Sequence, residues 1–165
     1  MLQGSDTLDA MRTALLIGAL LVAASLWTAP PKSVTPGAPL LESIRVPPDV
    51  RTILERSCQD CHSDRTRYPW YSYVAPVSLL VASDVKAGRA RLNLSRWDEY
   101  SLTRQLRFLS EIANQVQERE MPLAVYTLLH RDARLSDSDI RCVFRWTQTE
   151  RLRLIDAASR SAPRP

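Results

Sequence analysis

Cys58, Cys61 and His62 stand together in "SCQDCH", and His130 and Cys142 are the only other residues of those two types. Two thiols at i and i+3 with an imidazole directly after admit three chemistries. A redox dithiol expects CxxC at a helix start, in a setting of strands and helices. Here the motif follows an amphipathic run, "PPDVRTILERSC", and no alternating strand pattern appears anywhere in the chain. A structural zinc ion needs four ligands. Adjacent Cys61 and His62 are poorly placed to share one tetrahedral ion, and only His130 or Cys142 remains to complete the set. A disulfide between Cys58 and Cys61 would close too small a loop to stabilise much. The remaining chemistry uses every residue: each thiol adds to one vinyl group of a haem, and the histidine takes the iron.

Residues further along extend that reading. Met121 in "REMPL" is the only methionine after the N-terminal segment. Pro122 breaks the preceding helix there, so the thioether is a candidate sixth ligand, and methionine with histidine suits electron transfer. His130 in "YTLLHRD" is the rival ligand, and an open sixth position is the third option. In "RTRYPWYSY", Tyr68, Trp70, Tyr71 and Tyr73 are candidates to wall the pocket or bond haem propionates. Arg65, Arg67 and Arg89 are candidates for pairing with the same carboxylates, and Tyr126 is a further candidate of the same standing.

The elements that must position these groups read as helices. Val50, Ile53, Leu54 and Ser57/Cys58 share one face of a first helix. A second is expected from Pro76 to a stop at Gly88, and a third from a Ser95–Asp98 capping box to about Arg119. A fourth is expected from an N-cap at Ser136 to about Ala157. With four glycines and no strand pattern, the expected class is a mostly α small domain. Cys142 falls on the inward stripe of the last helix as a small hydrophobe, unless it links two chains.

The expected division is residues 1–29 as signal peptide or anchor, 30–48 as tether, 49–157 as the haem domain and 158–165 as a disordered tail. No charge occurs from Thr13 to Pro31, and small Ala23 and Ser25 suit cleavage after Ser25. Asp6 and Asp9 are unusual before such a segment, and a start at Met11 would give a more ordinary signal. The tether holds six prolines, and in extended polyproline geometry it would reach about 60 Å. The net charge of +4 comes almost wholly from twenty arginines. It favours acidic docking surfaces, and no basic run interleaved with aromatics suggests nucleic acid.

With the cysteine motif, two further runs carry a resemblance: "CQDCHSDRTRYPWYSYVAPVSLLVASDVKAGRARLNLSRW" and "EMPLAVYTLLHRDARLSDSDI". The chain resembles the bacterial haem-binding domain family of the cytochrome c kind over nearly all of the region expected to fold. The resemblance implies a cytochrome c-like small helical domain wrapped around one covalent haem c on Cys58 and Cys61, with His62 and Met121 on the iron. Cys142 lies outside the pattern. The expected function is a periplasmic single-electron carrier, a monomer either soluble or anchored through 13–31, serving redox protein partners. The alternatives are a haem-based sensor, a peroxidase-like protein or a docked redox subunit with an open sixth site. No nucleophile or paired carboxylates mark a hydrolytic centre.

Overall fold

The computed structural model describes residues 3–28, 41 and 44–161, and these form a helical protein with no strand among them. Its α-helices are α1 (Gln3–Thr28), α2 (Pro48–Ser57), α3 (Gln59–His62), α4 (Val77–Arg91), α5 (Leu102–Gln117), α6 (Ala124–Leu129) and α7 (Asp137–Ser161). Short 3-10 helices cover Trp70–Tyr73, Leu94–Glu99 and Arg131–Ala133.

The core forms where the apolar stripes of α2, α5 and α7 meet. Val50, Ile53 and Leu54 from α2 pack with Phe108, Leu109 and Val116 from α5 and with Val143 and Trp146 from α7. Leu94 and Trp97 close one side, where Tyr100 meets Phe108 edge-on. The folded region begins earlier than Asp49. Leu41 and Ile44 are buried in the same core, the Leu41 amide donates to the Leu94 carbonyl, and the Trp146 indole donates to the Arg45 carbonyl. The rest of the expected tether, residues 30–40, 42 and 43, lies outside the described residues.

Helix ends show where local chemistry overrides periodicity. The third helix does not start at Ser95. The Asn93 side chain accepts from the Ser95 amide and caps the Leu94–Glu99 3-10 helix, Tyr100 is extended, and α5 starts after Ser101. At its far end Arg119 adopts φ 56°, and the amides of Glu120 and Arg119 donate to the carbonyls of Gln115 and Val116. This is a Schellman cap built on arginine where glycine is the usual choice. It turns the chain so that Met121 leaves the helix axis at once. The fourth helix starts at the Ser136 cap as expected: Ser136 Oγ accepts from the Asp139 amide, and Asp139 accepts from the Ser136 amide. It runs on to Ser161, and residues 162–165 lie outside the described residues.

Asp139 also joins α7 to α2, taking a 2.6 Å hydrogen bond from the Arg56 guanidinium. Burial raises its carboxyl pKa, but the bonds from Ser136 and Arg56 win and hold it below 3.8. A folded-state value below the unfolded one contributes stability above about pH 4 and loses it as pH falls through the folded value. Asp139→Asn is therefore expected to cost about 1–3 kcal/mol in urea unfolding at pH 7. The difference should shrink in titrations as pH falls through the depressed folded-state value, where the Asp139 carboxyl takes up its proton.

Candidate functional site

Cys58, at the break between α2 and α3, and Cys61 and His62 at the end of α3 all line one cavity of about 260 Å³. Met121, Pro122, Leu123, Tyr126 and His130 line it from the segment after α5, and Val81, Val85 and Gly88 line it from α4. Residues separated by sixty positions thus meet at one mostly apolar cleft. Both candidate sixth ligands, Met121 and His130, are among its walls.

The helical turn that carries the motif is held by its neighbours. α4 crosses directly behind it, and Gly88 makes the crossing possible. A Cβ at Gly88 would stand 2.6 Å from the Cys61 carbonyl oxygen and 3.2 Å from Cys61 Cβ. Gly88 therefore does not stop α4, which continues to Arg91, but removes a side chain where two backbones touch. One turn later the Leu92 carbonyl lies 3.1 Å from His62 Nδ1. A carbonyl only accepts, so Nδ1 carries the proton and Nε2 keeps a free lone pair. Burial lowers the His62 pKa, which favours the neutral imidazole a metal needs.

The loop after His62 is fastened in the same manner. Arg89 donates to the Ser63 carbonyl and to Thr66 Oγ1, both at 2.8 Å. Asn93 donates to Asp64 at 2.8 Å, and the Asp64 amide donates to Ser95 Oγ. Inside the CxxC turn, the Asp60 side chain is buried and gathers four donors: the Arg67 amide at 3.1 Å, Arg67 Nε at 3.1 Å, Arg67 Nη2 at 3.4 Å and the Tyr126 hydroxyl at 2.9 Å. Asp60 is the residue that spacing alone misses, because it occupies a position the motif leaves free.

The thiols are free and half-buried at the cavity wall. Desolvation is the main cause that pushes Cys58 up to about 12 and Cys61 up to about 11, with each other's or nearby acidic charge adding to it. Thiols held protonated at neutral pH are poor dithiol nucleophiles. Cys142 lies away from the cavity, donating to Asp49 at 2.9 Å, and no cluster of three His, Cys, Asp or Glu suited to a metal occurs among the described residues.

The aromatic and arginine candidates divide. Arg67 is engaged with Asp60 and the Glu55 carbonyl, so its guanidinium is already paired. Trp70 is 78% exposed, and neither Trp70 nor Tyr68 lines the cavity. Tyr71 does; its hydroxyl makes a short hydrogen bond to His130 Nε2, and Tyr126 stacks on His130 at 4.2 Å between ring centres. Two hydroxyls fit a polar ligand better than the expected groups. Ser57 and Ser72 are buried at the cavity wall, and neither Oγ has a hydrogen-bond partner. Buried hydroxyls without a partner cost free energy, which a ligand carrying acceptors would recover. An apolar cleft with a metal-ready imidazole, two free thiols and orphan hydroxyls fits a haem, whose ring is apolar and whose propionates accept hydrogen bonds.

The Gly88 crossing sets a sign test. Alanine is the better helix former by about 1 kcal/mol. Overpacking against the Cys61 backbone should outweigh that gain by costing about 1–3 kcal/mol. Gly88→Ala is expected to lower the thermal midpoint; a raised midpoint would show that α4 and α3 do not touch.

Comparison with known proteins gives a family model described as a haem-binding domain, matching residues 17–149 of the 165. No curated protein and no solved structure matches the chain. The match takes in α2 to α6, the first half of α7 and every cavity residue, and on that extent the chain belongs to the haem-binding domain family.

Proposed function

We propose that this haem-binding protein carries a c-type haem and shuttles single electrons outside the bacterial cytoplasm. In this reading Cys58 and Cys61 would hold the haem through thioethers, made by adding each S–H across a vinyl group with no oxidant or reductant required, and His62 Nε2 and Met121 Sδ would hold the iron. The observation that carries the reading is the tethered His62 beside both thiols, with Met121 lining the same cavity. Bound haem would supply the one-electron couple. The chain supplies an apolar wall, an oriented imidazole and hydroxyl donors at Ser57 and Ser72. Met121 is favoured over His130 because His130 Nε2 is already engaged by Tyr71. The expected partners are redox proteins with acidic surfaces, met by a monomer of net charge +4.

A second reading has its own observation. The hydrogen-bonded Tyr71–His130 pair at the cavity wall could serve as an acid–base group beside an open iron, as sensing or peroxide reduction would need.

Protein made with haem-attachment machinery should keep its haem through denaturation and acid–solvent extraction. The double variant Cys58→Ala with Cys61→Ala should release it, and extraction from the wild type would overturn the covalent links. Met121→Ala should remove the sulfur-to-iron charge-transfer absorption of the ferric protein, lower the midpoint potential and open the iron to carbon monoxide. A wild-type protein that is already high-spin and binds carbon monoxide would transfer the assignment to the second reading.

A further inference from the structure

The chain from Pro69 to Ser83 is fifteen residues long and carries no charge. Its inner side belongs to the haem cavity through Pro69, Tyr71, Ser72 and Val81. The same segment exposes Trp70, Val74, Val77, Leu79 and Leu80, with Leu79 at 53%. Five large apolar side chains on one continuous uncharged segment exceed the scattered exposure of an ordinary soluble surface. Arg67 and Lys86, both exposed, flank the segment in sequence.

This segment meets the one helix among the described residues that is long and apolar enough to cross a membrane. Thr7–Trp27 of α1 is long and apolar enough to span a bilayer and is unburied. α1 rests against both the Trp70–Tyr73 3-10 helix and α4. The contact has a polar fastening: the Ala75 amide donates to Ser25 Oγ at 2.9 Å, and Ser25 donates to the Leu21 carbonyl at 2.7 Å. Trp27, 92% exposed, ends the candidate span, and Trp70 projects from the element packed beside it. Tryptophan concentrates at the level of lipid headgroups. The family match begins at residue 17, inside α1, so the apolar half of this helix goes with the haem domain.

We propose that α1 stays attached as an anchor and that the outer face of 69–83 lies on the lipid surface. Trp70, Val74, Val77, Leu79 and Leu80 enter the headgroup boundary, and the haem cavity sits directly above them. Ser25 is then a joint between anchor and domain rather than the residue before a cleavage site. Lys86, exposed beyond the segment, suits anionic headgroups, whereas Arg67 is held by Asp60. The docking rests on the anchor reading, and the two can be told apart.

The test uses full-length haem-loaded protein, one chain per lipid nanodisc of phosphatidylethanolamine and phosphatidylglycerol. Leu79→Cys and, as a solvent reference, Leu152→Cys are reacted with a membrane-impermeant maleimide, and peptide mass spectrometry separates each site from Cys142. Leu152 is exposed on α7. Lipid suppresses the thiolate that reacts, so Leu79→Cys should label about tenfold or more slowly than Leu152→Cys. Trp70→Cys should follow Leu79→Cys. Equal rates in an intact, disc-bound chain would overturn the docking and leave the anchor standing. Equal rates in discs with slow labelling in host membranes would assign the face to a protein partner instead. Recovery from the host of a chain lacking residues 1–25 would remove the anchor, and the docking with it.

Discussion

The contact on which the site depends is the one between Gly88 and the carbonyl of Cys61. Two helices can approach this closely only where one has no Cβ, and a Cβ here would stand 2.6 Å from a backbone oxygen. The approach sets the distance from α4 to the CxxCH turn, and three consequences follow along the chain. Arg89, next in sequence, reaches the Ser63 carbonyl and Thr66. Leu92, a turn later, presents its carbonyl to His62 Nδ1. Asn93 then ties down Asp64 and caps the following 3-10 helix. One missing side chain therefore fixes the tautomer of the metal-ready imidazole, through the Leu92 carbonyl four residues along α4. A larger residue would move all three attachments together, because they share the rigid backbone of α4.

Asp60 performs the corresponding task on the other side of the turn. A buried carboxylate without donors would be costly, and this one has the Arg67 amide and guanidinium and the Tyr126 hydroxyl. Tyr126 comes from α6 and stacks on His130, which Tyr71 bonds in turn. The α6 segment thus reaches the CxxC turn through a polar chain rather than through apolar packing, and no residue of α6 is buried. That explains how Met121, which follows the Arg119 cap, can be held at the cavity by a short helix with no core of its own.

Much of this was legible in the residues, though unevenly. The helical class, the Ser136 cap, the apolar stripes of α2 and α7 and the Cys58, Cys61, His62 motif follow from spacing and from the absence of strand patterns, whereas Met121 stands out as the one methionine after the N-terminal segment and through the family resemblance. Gly88 misled because glycine after an apolar run usually ends a helix, and no local rule says that another backbone will arrive there. The start of α5 misled because Ser95 and Asp98 have capping spacing, whereas Asn93 captures the Ser95 amide for a 3-10 helix. Arg67 looked like a carboxylate partner for a cofactor; its actual partner, Asp60, lies inside the motif and seven residues away. Such pairings depend on where the loop closes, which periodicity does not encode.

The run from Pro69 to Ser83 shows why a segment can be uncharged throughout although only half of it faces inward. In an ordinary amphipathic helix the outer face carries charge, and α4 does so only from Asp84 onward. On the inner side a charge would have to be buried against the apolar cleft, where it would need a partner. If water lay on the outer side, nothing would exclude lysine or glutamate there, and five large apolar residues would be a liability for aggregation. A lipid boundary supplies the missing constraint, because it excludes charge from the second face as the cavity excludes it from the first. The cavity would then stand one helix thickness, about 10 Å, above the bilayer. A partner held in the membrane would meet the protein from that side without crossing open solvent.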